Sequence, residues 1–404
     1  MLAIDRAVEV VMSAAAGIES SDRMPVESVP LTQARHRILR QDVLADADSP
    51  PFDKSIRDGF AVRHEDLRDI PVVLRVIGEA RAGRAADVEV VSGTCVEIMT
   101  GAPLPSGASA VVMVEHTERP STDSVRILRR IREGNGLLRQ GAEARVGECV
   151  LPKGRRIELA DIGLLASTGQ ACVRVSKPPR VAIVATGDEL VDLDQSPRSG
   201  QIRNSNSYTL HAQVTAAGAE AVLLGTAKDD LEDLRDKIGR ALEHDIALVS
   251  GGVSMGKYDL VEDVFSEFGV QVLFDSVAMK PGKPTVFGVR GSTFVFGLPG
   301  NPVSTIVSFY VFVRPLIAQM LKASPQGMGM LTARLEAAAK CDPERAALVP
   351  ALVRFADGAY RIQAAPWKGS SDLVGLSRSN ALMIIEKREG VLSPGEMVPF
   401  LFLE

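Results

Sequence analysis

Apolar and polar positions follow a different period in successive stretches of this 404-residue chain. Over residues 3–19 apolar side chains recur every three or four positions, which predicts an amphipathic helix. Between about 40 and 150 short β-rich runs are separated by glycine and proline, as in a β module with tight turns. From 180 to about 325 apolar strands alternate with helices, which predicts a largely parallel sheet covered on both faces. Short strands over 331–404 predict a small β domain.

Local signals predict further helices within this pattern. The segment 158–169 reads as a short helix that ends at Gly169. The helix predicted over 229–244 has Asp229 or Asp230 at its start. The apolar segment 301–321 predicts a long helix with Pro302 just inside its first turn, where the missing proline N–H has no partner to lose.

Composition and charge argue against several classes of protein. Lys and Arg total 46 against 51 for Asp and Glu, and aromatic residues make up only 4%, so a general nucleic-acid binder is not expected, although a local basic pocket stays open. The four cysteines are too few and too far apart for a disulfide framework or a zinc knuckle. Charged residues interrupt the apolar opening stretch and no basic segment precedes it, so it is neither a signal peptide nor a membrane anchor. We expect a cytoplasmic protein that binds neither membranes nor nucleic acid.

Polar and glycine residues follow each predicted strand of the 180–325 segment. In an open α/β sheet, ligands bind beyond the carboxyl ends of the strands. We therefore expect one rim to gather carboxylates, a glycine-rich turn and two lysines three residues apart. In chain order these rim residues are Thr186, Gly187, Asp188, Glu189, Asp229, Ser250, Gly251, Gly252, Ser254, Lys280, Lys283, Pro299, Asn301 and Pro302.

These residue types favour an anionic ligand. Glycines let backbone N–H groups approach phosphate oxygens, and lysines add full positive charges. Carboxylates hold Mg²⁺, which takes one or two protein oxygens together with phosphate and water. The sequence therefore predicts a phosphate-bearing small molecule bound with magnesium. Each feature also has a structural interpretation: a Gly-Gly turn is often only a tight connection, the lysines could lie on the surface, and Asp229 could be a helix N-cap.

One segment nearly matches a P-loop. Residues 251–257 fit the spacing G-x-x-x-x-G-K, but Tyr258 stands where a P-loop has the Ser or Thr that ligates magnesium. No strand supplies an obvious Walker-B carboxylate either. A P-loop nucleotide hydrolase is therefore not expected.

Two dense motifs stand out in the β-rich half. Residues 49–63 are too polar at their centre for a strand core, and residues 98–108 pack glycine and proline into a rigid loop. Either motif could be a structural turn. Asp58 in the first and Thr100 in the second become functional candidates if they reach a cleft against another domain or subunit.

Taken in order, seven motifs resemble a known family, the molybdopterin molybdenumtransferases, often called MoeA, which include the E domain of gephyrin. The motifs are PPFDKSIRDGFAVR, MTGAPLPSGASAVVMVE, VAIVATGDEL, GQIRNSNSY, SGGVSMGKYDLV, MKPGKPTVFG and GLPGNPVS. This chain has Lys54 where the family usually has Asn, and Arg139 and Glu143 stand near the positions of its usual Arg and Asp.

The resemblance implies an α/β plus β fold: a MogA-like three-layer α/β domain, β-rich N-terminal modules and a small C-terminal β-barrel-like domain. It also implies an elongated homodimer with a cleft between the α/β domain of one subunit and the β domain of the other. The implied domains are a discontinuous N-terminal linker or helical domain (1–27 and 146–178), a β-rich domain (45–145), the α/β molybdopterin-binding domain (179–326) and the C-terminal domain (327–404).

The resemblance further implies a reaction in which molybdate joins adenylylated molybdopterin, AMP is released and molybdenum cofactor forms, with Mg²⁺ required. The implied roles are catalysis for Asp58, Thr100, Lys280 and Lys283; metal binding for Glu189, Asp229 and Asp259; and substrate binding for Thr186, Gly187, Asp188, Ser250, Gly251, Gly252, Ser254, Pro299, Asn301, Pro302 and Ser371. Docking with other proteins of molybdenum-cofactor synthesis is a further implied interaction.

Two other functions compete with this one. An adenylyltransferase-like enzyme would use only the α/β domain, which leaves the motifs at 49–63 and 98–115 without a role. A scaffold that binds partner peptides, as the gephyrin E domain does, would have no need of the lysines and acids of the rim.

Overall fold

The computed structural model describes residues 1–18, 25–84, 86–253, 260–324 and 330–403. Helix α1 (Ile4–Ile18) confirms the helix predicted from the opening periodicity. Its buried residues Ala7, Val11 and Ala15 belong to the main core of the α/β domain. Because this apolar stripe packs on the α/β domain, helix α1 extends the core of that domain. The domain boundaries drawn from the sequence remain a prediction.

The β-rich domain is inserted into a smaller N-terminal module, through which the chain passes twice. Strands β1 and β12 pair with each other, as do β2 and β11, so residues more than 100 positions apart in the chain share one small core. Between these passes six strands form a sheet in the order β7-β4-β6-β5-β9-β8. The elements are β1 (Val26–Pro30), β2 (Val43–Leu44), β3 (Lys54–Ser55), β4 (Gly59–Val62), β5 (Val72–Ala80), β6 (Thr94–Ile98), β7 (Ala110–Met113), β8 (Thr117–Ser121), β9 (Ser124–Ile127), β10 (Leu137–Leu138), β11 (Cys149–Leu151), α2 (Leu159–Ser167) and β12 (Cys172–Ser176).

Helix α2 begins at a buried carboxylate. Asp161, only 3% exposed, accepts hydrogen bonds from the backbone N–H of Glu158 (2.9 Å) and from Nε of Arg155 (3.0 Å). Burial by itself would raise the pKa of Asp161, but the bonds from Arg155 and Glu158 outweigh it and hold the pKa below its ordinary value. The helix ends at Ser167, and Gly169 follows with φ of +73°, which agrees with the predicted glycine stop.

We expect Asp161→Asn to lower the free energy of unfolding by about 2 kcal/mol at pH 7, because charged hydrogen bonds to a buried group and a helix-start contact are lost. The depressed pKa of the folded state means that the wild-type advantage is complete above the ordinary pKa of Asp and disappears as the pH falls through the folded-state value. Urea melts at pH 7 and at steps below pH 4 measure this difference. The control is Glu267→Gln, which removes an ion pair with Arg235 that is nearly half exposed on both sides and should leave the free energy of unfolding close to that of wild type. Equal losses in the two variants, or a loss for Asp161→Asn that persists undiminished at low pH, would contradict this account.

The α/β domain has three layers around one sheet. Its six strands lie in the order β16-β13-β17-β21-β20-β18, and all except β20 run in the same direction, which confirms the predicted largely parallel sheet. Helices α4 and α5 cover one face, while α1, α3 and the helix from 302 to 320 cover the other. The elements are β13 (Arg180–Thr186), β14 (Leu190–Val191), β15 (Ile202–Arg203), α3 (Asn206–Ala216), β16 (Glu220–Ala227), α4 (Leu231–Ala241), β17 (Ile246–Ser250), α5 (Leu260–Glu267), β18 (Gln271–Phe274), β19 (Met279–Lys280), β20 (Val286–Arg290), β21 (Thr293–Leu298), α6 (Pro302–Ser308) and α7 (Arg314–Met320).

The long apolar helix is continuous but not uniform. Between α6 and α7 the residues Phe309–Val313 form a π-helical turn. Pro315 follows directly, and a proline removes an N–H and crowds the carbonyl four residues earlier, so a wider turn here relieves the conflict. By length and composition alone Pro302–Met320 is apolar enough to cross a membrane, but 67% of its apolar stretch is buried inside the protein. Its side chains form the core beneath the sheet, as expected for a central helix of an α/β domain.

The C-terminal domain is a closed five-stranded barrel. Strands β24, β25, β22, β28 and β26 pair in succession, and β26 pairs back with β24. This confirms the expected barrel-like domain. The elements are β22 (Leu331–Leu335), β23 (Ala339–Lys340), β24 (Ala346–Ala356), β25 (Ala359–Ala364), α8 (Leu373–Ser377), β26 (Ala381–Ile385), β27 (Val391–Leu392) and β28 (Met397–Phe402).

One strand prediction in the α/β domain was wrong in its extent. The rim argument placed Lys280 directly after a strand of the α/β sheet, and the apolar run 270–279 is the segment that precedes it. The structure ends β18 at Phe274, and Met279–Lys280 pair instead with β24 of the barrel. The run looks continuous in sequence because both pieces contain apolar residues, but they belong to different sheets.

Candidate functional site

A cavity of about 590 Å³ lies at the carboxyl edge of the α/β sheet. The residues that follow β13, β17 and β21 meet there, as the strand-end argument predicted. Its walls contain most of the predicted rim residues together with several that were not predicted. The lining consists of Thr186, Gly187, Glu189, Leu190, Ile202, Arg203, Asn204, Ser205, Asn206, Asp229, Ser250, Gly251, Gly252, Val253, Pro284, Pro299, Gly300, Asn301, Pro302 and Ser371.

The glycine turn after β17 passes directly over Thr186. Gly251 and Gly252 have φ of +101° and +63°, in the region that favours glycine. A Cβ on Gly251 would lie 2.6 Å from the Thr186 carbonyl oxygen, and one on Gly252 would lie 2.6 Å from Val261 Cγ2. Both glycines are therefore required by close packing as well as by conformation. This turn can present backbone N–H groups to an anion only because no side chain stands in the way.

The start of α3 adds an asparagine that sequence reasoning missed. Asn206 Nδ2 donates to Ser250 Oγ (2.9 Å) and to the Gly300 carbonyl oxygen (2.7 Å). One side chain thus joins the helix start to the loops that follow β17 and β21. The polar run Asn-Ser-Asn-Ser before an apolar helix was the available signal, but it was interpreted only as part of a family motif.

Two carboxylates, Glu189 and Asp229, line the cavity. The N-cap of α4 is Asp230, which accepts from the N–H groups of Glu232 and Asp233 at 3.0 Å each, so the capping role considered for Asp229 belongs to its neighbour. Asp188 Oδ1 accepts from the Asp229 backbone N–H at 3.2 Å, but Asp188 is not among the lining residues.

The predicted metal ligand Asp259 and the predicted substrate ligand Ser254 lie outside the described residues. Within the described ranges no three His, Cys, Asp or Glu side chains form a cluster that could hold a metal ion. The carboxylates on the cavity wall therefore do not form an all-protein metal cage among these residues.

The C-terminal domain closes one side of the cavity. Ser371 lies in its wall, as the resemblance implied, and the neighbouring Ser370 carbonyl oxygen accepts from the N–H of Val303 at 2.9 Å. That bond uses one of the N–H groups at the start of the long helix. The loop before α8 is thereby attached to the rim of the α/β sheet.

The two predicted lysines are not on the wall of this cavity. Lys280 lines a separate cavity of about 440 Å³ between the α/β domain and the barrel, where Nζ lies 3.5 Å from Asp342 Oδ2. Lys283 is exposed, and only the following residue, Pro284, reaches the first cavity. The rim placement of Lys280 was wrong because the strand expected to carry it ends early, as described above.

Asp58 and Thr100 come together on the surface of the β-rich domain. Asp58 Oδ1 accepts from the Thr100 backbone N–H at 2.7 Å and from its hydroxyl at 3.0 Å. The backbone bond, followed by the hydroxyl bond, holds the pKa of Asp58 below its ordinary value. Asp58 is therefore a fixed anion at neutral pH, with its second oxygen left without a partner among the described residues.

Three loops of the β-rich domain support this pair. The loop at 53–58 bonds to the loop at 101–104 through three backbone hydrogen bonds of 2.8–3.0 Å, and Ile56 N–H donates to Gly136 O at 3.0 Å. Asp53 accepts from the Gln140 N–H at 2.8 Å and forms an ion pair with Arg139. The two sequence motifs, residues 49–63 and 98–108, therefore lie together and form one surface of the β-rich domain.

The residues that depart from the family pattern lie on this same surface. Lys54 Nζ is 3.9 Å from Glu143 Oε1, and Glu143 Oε2 accepts from the Ser49 hydroxyl at 2.7 Å. The positive charge that the chain has at position 54 is therefore partly balanced by its own Glu143.

The fold defines a multidomain α/β protein with a cavity at the strand ends of its α/β domain. Three protein-family models match successive parts of the chain. They are described as "MoeA N-terminal region (domain I and II)" over residues 2–169, "Probable molybdopterin binding domain" over 182–319 and "MoeA C-terminal region (domain IV)" over 332–403. The cavity just described lies in the second of these parts, apart from Ser371.

Similar proteins cover almost the whole chain. Molybdopterin molybdenumtransferase of a Nostoc species is 36% identical over 93% of this chain and 88% of its own, and that of Bacillus subtilis is 35% identical over 89% and 85%. The crystal structure of the molybdopterin biosynthesis MoeA protein of Pyrococcus horikoshii OT3 superposes with a TM-score of 0.82 at 28% identity, over the full length of both chains. The chain belongs to the MoeA family of molybdopterin molybdenumtransferases, and it is a transferase of molybdenum cofactor biosynthesis.

Proposed function

We propose that this protein inserts molybdenum from molybdate into adenylylated molybdopterin, releasing AMP and forming molybdenum cofactor. The cavity supports this proposal because it combines a glycine turn suited to phosphate with carboxylates suited to a magnesium–phosphate complex. Release of AMP breaks a phosphoanhydride bond, and the ligand carries negative charge at both ends of that bond. The proposed role of this turn is to bind phosphate through the backbone N–H of Gly252, since the N–H of Gly251 already donates to the Leu298 carbonyl oxygen at 3.0 Å.

The observation that carries the proposal is the separation of the two parts of the site within one chain. The cavity is lined, among the described residues, by the α/β domain and Ser371 alone, while Asp58 and Thr100 are exposed on the β-rich domain. An exposed carboxylate held as an anion by two hydrogen bonds suits a site that a second molecule completes. We propose that the chain works as a homodimer in which the β-rich domain of one subunit faces the cavity of its partner.

Magnesium fits the donor set of the cavity. Mg²⁺ keeps several waters and is bound through one or two carboxylates together with substrate phosphates. Glu189 and Asp229 supply that number of carboxylates on the wall, and phosphate oxygens would complete the set. When bound, the ion would neutralise charge on the phosphoanhydride. Glu189 and Asp229 are the described residues that would hold it, and Asp259 is the third predicted ligand.

The lysines have the charge that molybdate requires. Lys283 is exposed next to Pro284, which is in the cavity wall, and a flexible lysine there can approach an oxyanion at the cavity mouth. We propose Lys283 as a contact to molybdate or phosphate, and Lys280, which lines the separate cavity beside the barrel, as a residue that contributes positive charge. The protein is proposed to act in the cytoplasm and to dock with other proteins of molybdenum-cofactor synthesis.

The test is a defined assay with adenylylated molybdopterin, Mg²⁺ and molybdate that follows AMP release. We expect wild-type release to depend on molybdate and to fall about tenfold in Lys283→Ala, because one full charge near the anion is removed. The control is Lys387→Ala, an exposed lysine on the barrel, which should behave as wild type. No molybdate-dependent AMP release from folded wild-type protein would refute the proposed function.

A further inference from the structure

Three arginines lie side by side on the outer face of the C-terminal barrel. Arg361 of β25 is paired in register with Arg354 of β24 on one side and with Arg334 of β22 on the other. Side chains of directly paired residues lie on the same face of a sheet. Four residues that flank these positions are buried in the barrel core: Ala333, Leu335, Val353 and Ile362. The arginine row (Arg334, Arg361 and Arg354) therefore points away from the core across three neighbouring strands.

The arginine row costs stability, because like charges placed directly opposite each other in a sheet repel. Glu336 offsets part of the charge through an ion pair with Arg354, and Asp357, 80% exposed, forms an ion pair with Arg361 at 2.7 Å. Arg334 has no ion-pair or hydrogen-bond partner for its side chain among the described residues. The row is therefore net positive on a chain whose formal net charge is -5, and a negatively charged partner would relieve its repulsion.

An exposed aromatic side chain stands at one end of the arginine row. Phe355 follows Arg354 directly and is 67% exposed. Its ring meets that of Tyr360 edge-on with 5.3 Å between centroids, and the Tyr360 ring lies 5.6 Å from that of Phe400. The ring of Phe355 is thus packed against the barrel although most of its surface faces solvent. Arginine and aromatic side chains are enriched at contacts between proteins, so this surface favours a protein partner.

The spacing of the arginine row favours a helix over an extended segment as the contacting element. Neighbouring strands lie about 4.8 Å apart, so the three arginines repeat at about that interval. Residues three or four apart on one helix face have Cβ atoms about 5–6 Å apart, whereas same-face residues of an extended segment are about 6.6 Å apart. Over three positions a helix keeps its carboxylates closer to the three guanidinium groups.

We propose that the arginine row is a docking surface for a partner protein, which lays across the three strands a helix with acidic residues at positions i, i+4 and i+7. The carboxylates of that helix pair with the three arginines, and an apolar side chain of the partner covers Phe355. The row lines neither the strand-end cavity nor the cavity that contains Lys280, so this surface is separate from the proposed substrate site.

The test measures binding of two synthetic helical peptides to the full chain by fluorescence anisotropy at about 0.15 M salt. One is an alanine–glutamine peptide with glutamates at i, i+4 and i+7 and a leucine beside the last of them. In its isomer the same residues are reordered, so that the glutamates lie on different faces of the helix while composition and net charge are unchanged. We expect wild-type protein to bind the first peptide at least about fivefold more tightly, because several charged pairs form at once.

Substitutions within the arginine row should remove this preference. In Arg334→Gln and in Arg361→Gln the ratio of the two dissociation constants should fall to within about twofold. The matched control is Arg388→Gln, which removes another exposed arginine of the barrel that is paired with Glu396 and lies outside the row. It should keep the wild-type ratio.

The stability of Arg361→Gln separates docking from a structural role. Arg361 lies between two like charges and its acidic partner is highly exposed, so its loss should leave the melting temperature unchanged or raised. A lower melting temperature together with an unchanged peptide ratio would assign this arginine to the stability of the barrel.

Equal binding of the two peptides by wild type, no binding of either, or an unchanged ratio in both arginine variants would overturn the proposed docking. Tighter binding of a single-stranded oligonucleotide than of the first peptide would overturn it as well. So would a change of oligomeric state in Arg361→Gln by sedimentation velocity, which would assign the row to a contact between copies of this chain.

The docking surface and the proposed reaction can fail independently. Molybdate-dependent AMP release should stay at the wild-type level in Arg334→Gln, Arg361→Gln and Arg388→Gln, because none of these residues lines either cavity. Absence of that release from wild-type protein would refute the proposed function and leave the peptide ratios untouched.

Discussion

Gly251→Ala should lower the free energy of unfolding by about 3 kcal/mol and reduce molybdate-dependent AMP release at least about 100-fold. The residue has φ of +101°, and its new Cβ would lie 2.6 Å from the Thr186 carbonyl oxygen and 2.8 Å from its hydroxyl. The carbonyl oxygen is a backbone atom of β13 and cannot move without shifting β13 against β17, so the turn must open. An opened turn no longer places its N–H groups around a phosphate.

The matched control for Gly251 is Gly225 in β16 of the same sheet. Gly225 has φ of +86°, but an added Cβ would meet nothing within 4 Å. Gly225→Ala should therefore cost about 1 kcal/mol from backbone strain and leave the reaction intact. Urea melts and the AMP assay measure both quantities. If Gly251→Ala behaves like Gly225→Ala, the clash with Thr186 is not what makes the glycine necessary.

Asp58→Asn should reduce AMP release about 100-fold with no measurable change in stability. An asparagine carbonyl can still accept from the Thr100 N–H and hydroxyl, so the two hydrogen bonds remain while the negative charge is lost. The variant therefore isolates the charge from the geometry. Full activity in Asp58→Asn would remove this residue from the catalytic set, and a fall matched by a loss of stability would assign it a structural role.

The charge of Asp58 can be measured directly. Carboxyl-carbon NMR titration should give wild-type Asp58 a pKa below its ordinary value, and Thr100→Val should raise it, because the hydroxyl donor is removed and the backbone donor remains. Because its pKa is lower, Asp58 of the wild type stays ionised to a lower pH than Asp58 of Thr100→Val does. A pKa that does not rise in Thr100→Val would show that the hydroxyl contributes nothing to holding the anion.

A mixture of the two inactive variants tests whether the site is shared between subunits. If Asp58 of one chain serves the cavity of its partner, a heterodimer of Asp58→Asn and Gly251→Ala chains has one intact site. Random assembly then restores about a quarter of wild-type activity. No recovery from verified heterodimers would place both halves of the site in one chain.

The local pattern of apolar and polar positions was sufficient to predict which segments of the α/β domain form strands and which form helices. The strands β13, β17 and β21 are short buried apolar runs that alternate with helices, a pattern typical of a parallel sheet. Given that sheet, the carboxyl ends of the strands must lie on one edge. The presence of Thr186, Gly251, Gly252 and Pro299 on one cavity wall followed from that geometry alone.

The family motifs named candidate site residues that the hydrophobic pattern could not indicate, but they did not show which residues these side chains contact. They indicated Asp58 and Thr100 without showing that one residue donates two hydrogen bonds to the other. They included Asn206 in a quoted motif without indicating that its amide joins three loops. The charge of a side chain can be read from its identity, whereas its partners depend on which distant segments pack beside it.

The sequence by itself determined the type of most elements, the class of the α/β domain and the edge of its sheet at which the cavity lies, because hydrophobic period and strand direction are local properties that leave few alternatives. Only the tertiary structure decided that Lys280 pairs with the barrel, and that Asp58 is exposed on the β-rich domain and does not line the cavity of its own chain. These placements depend on contacts between residues tens to hundreds of positions apart, and such contacts arise from the packing of whole domains.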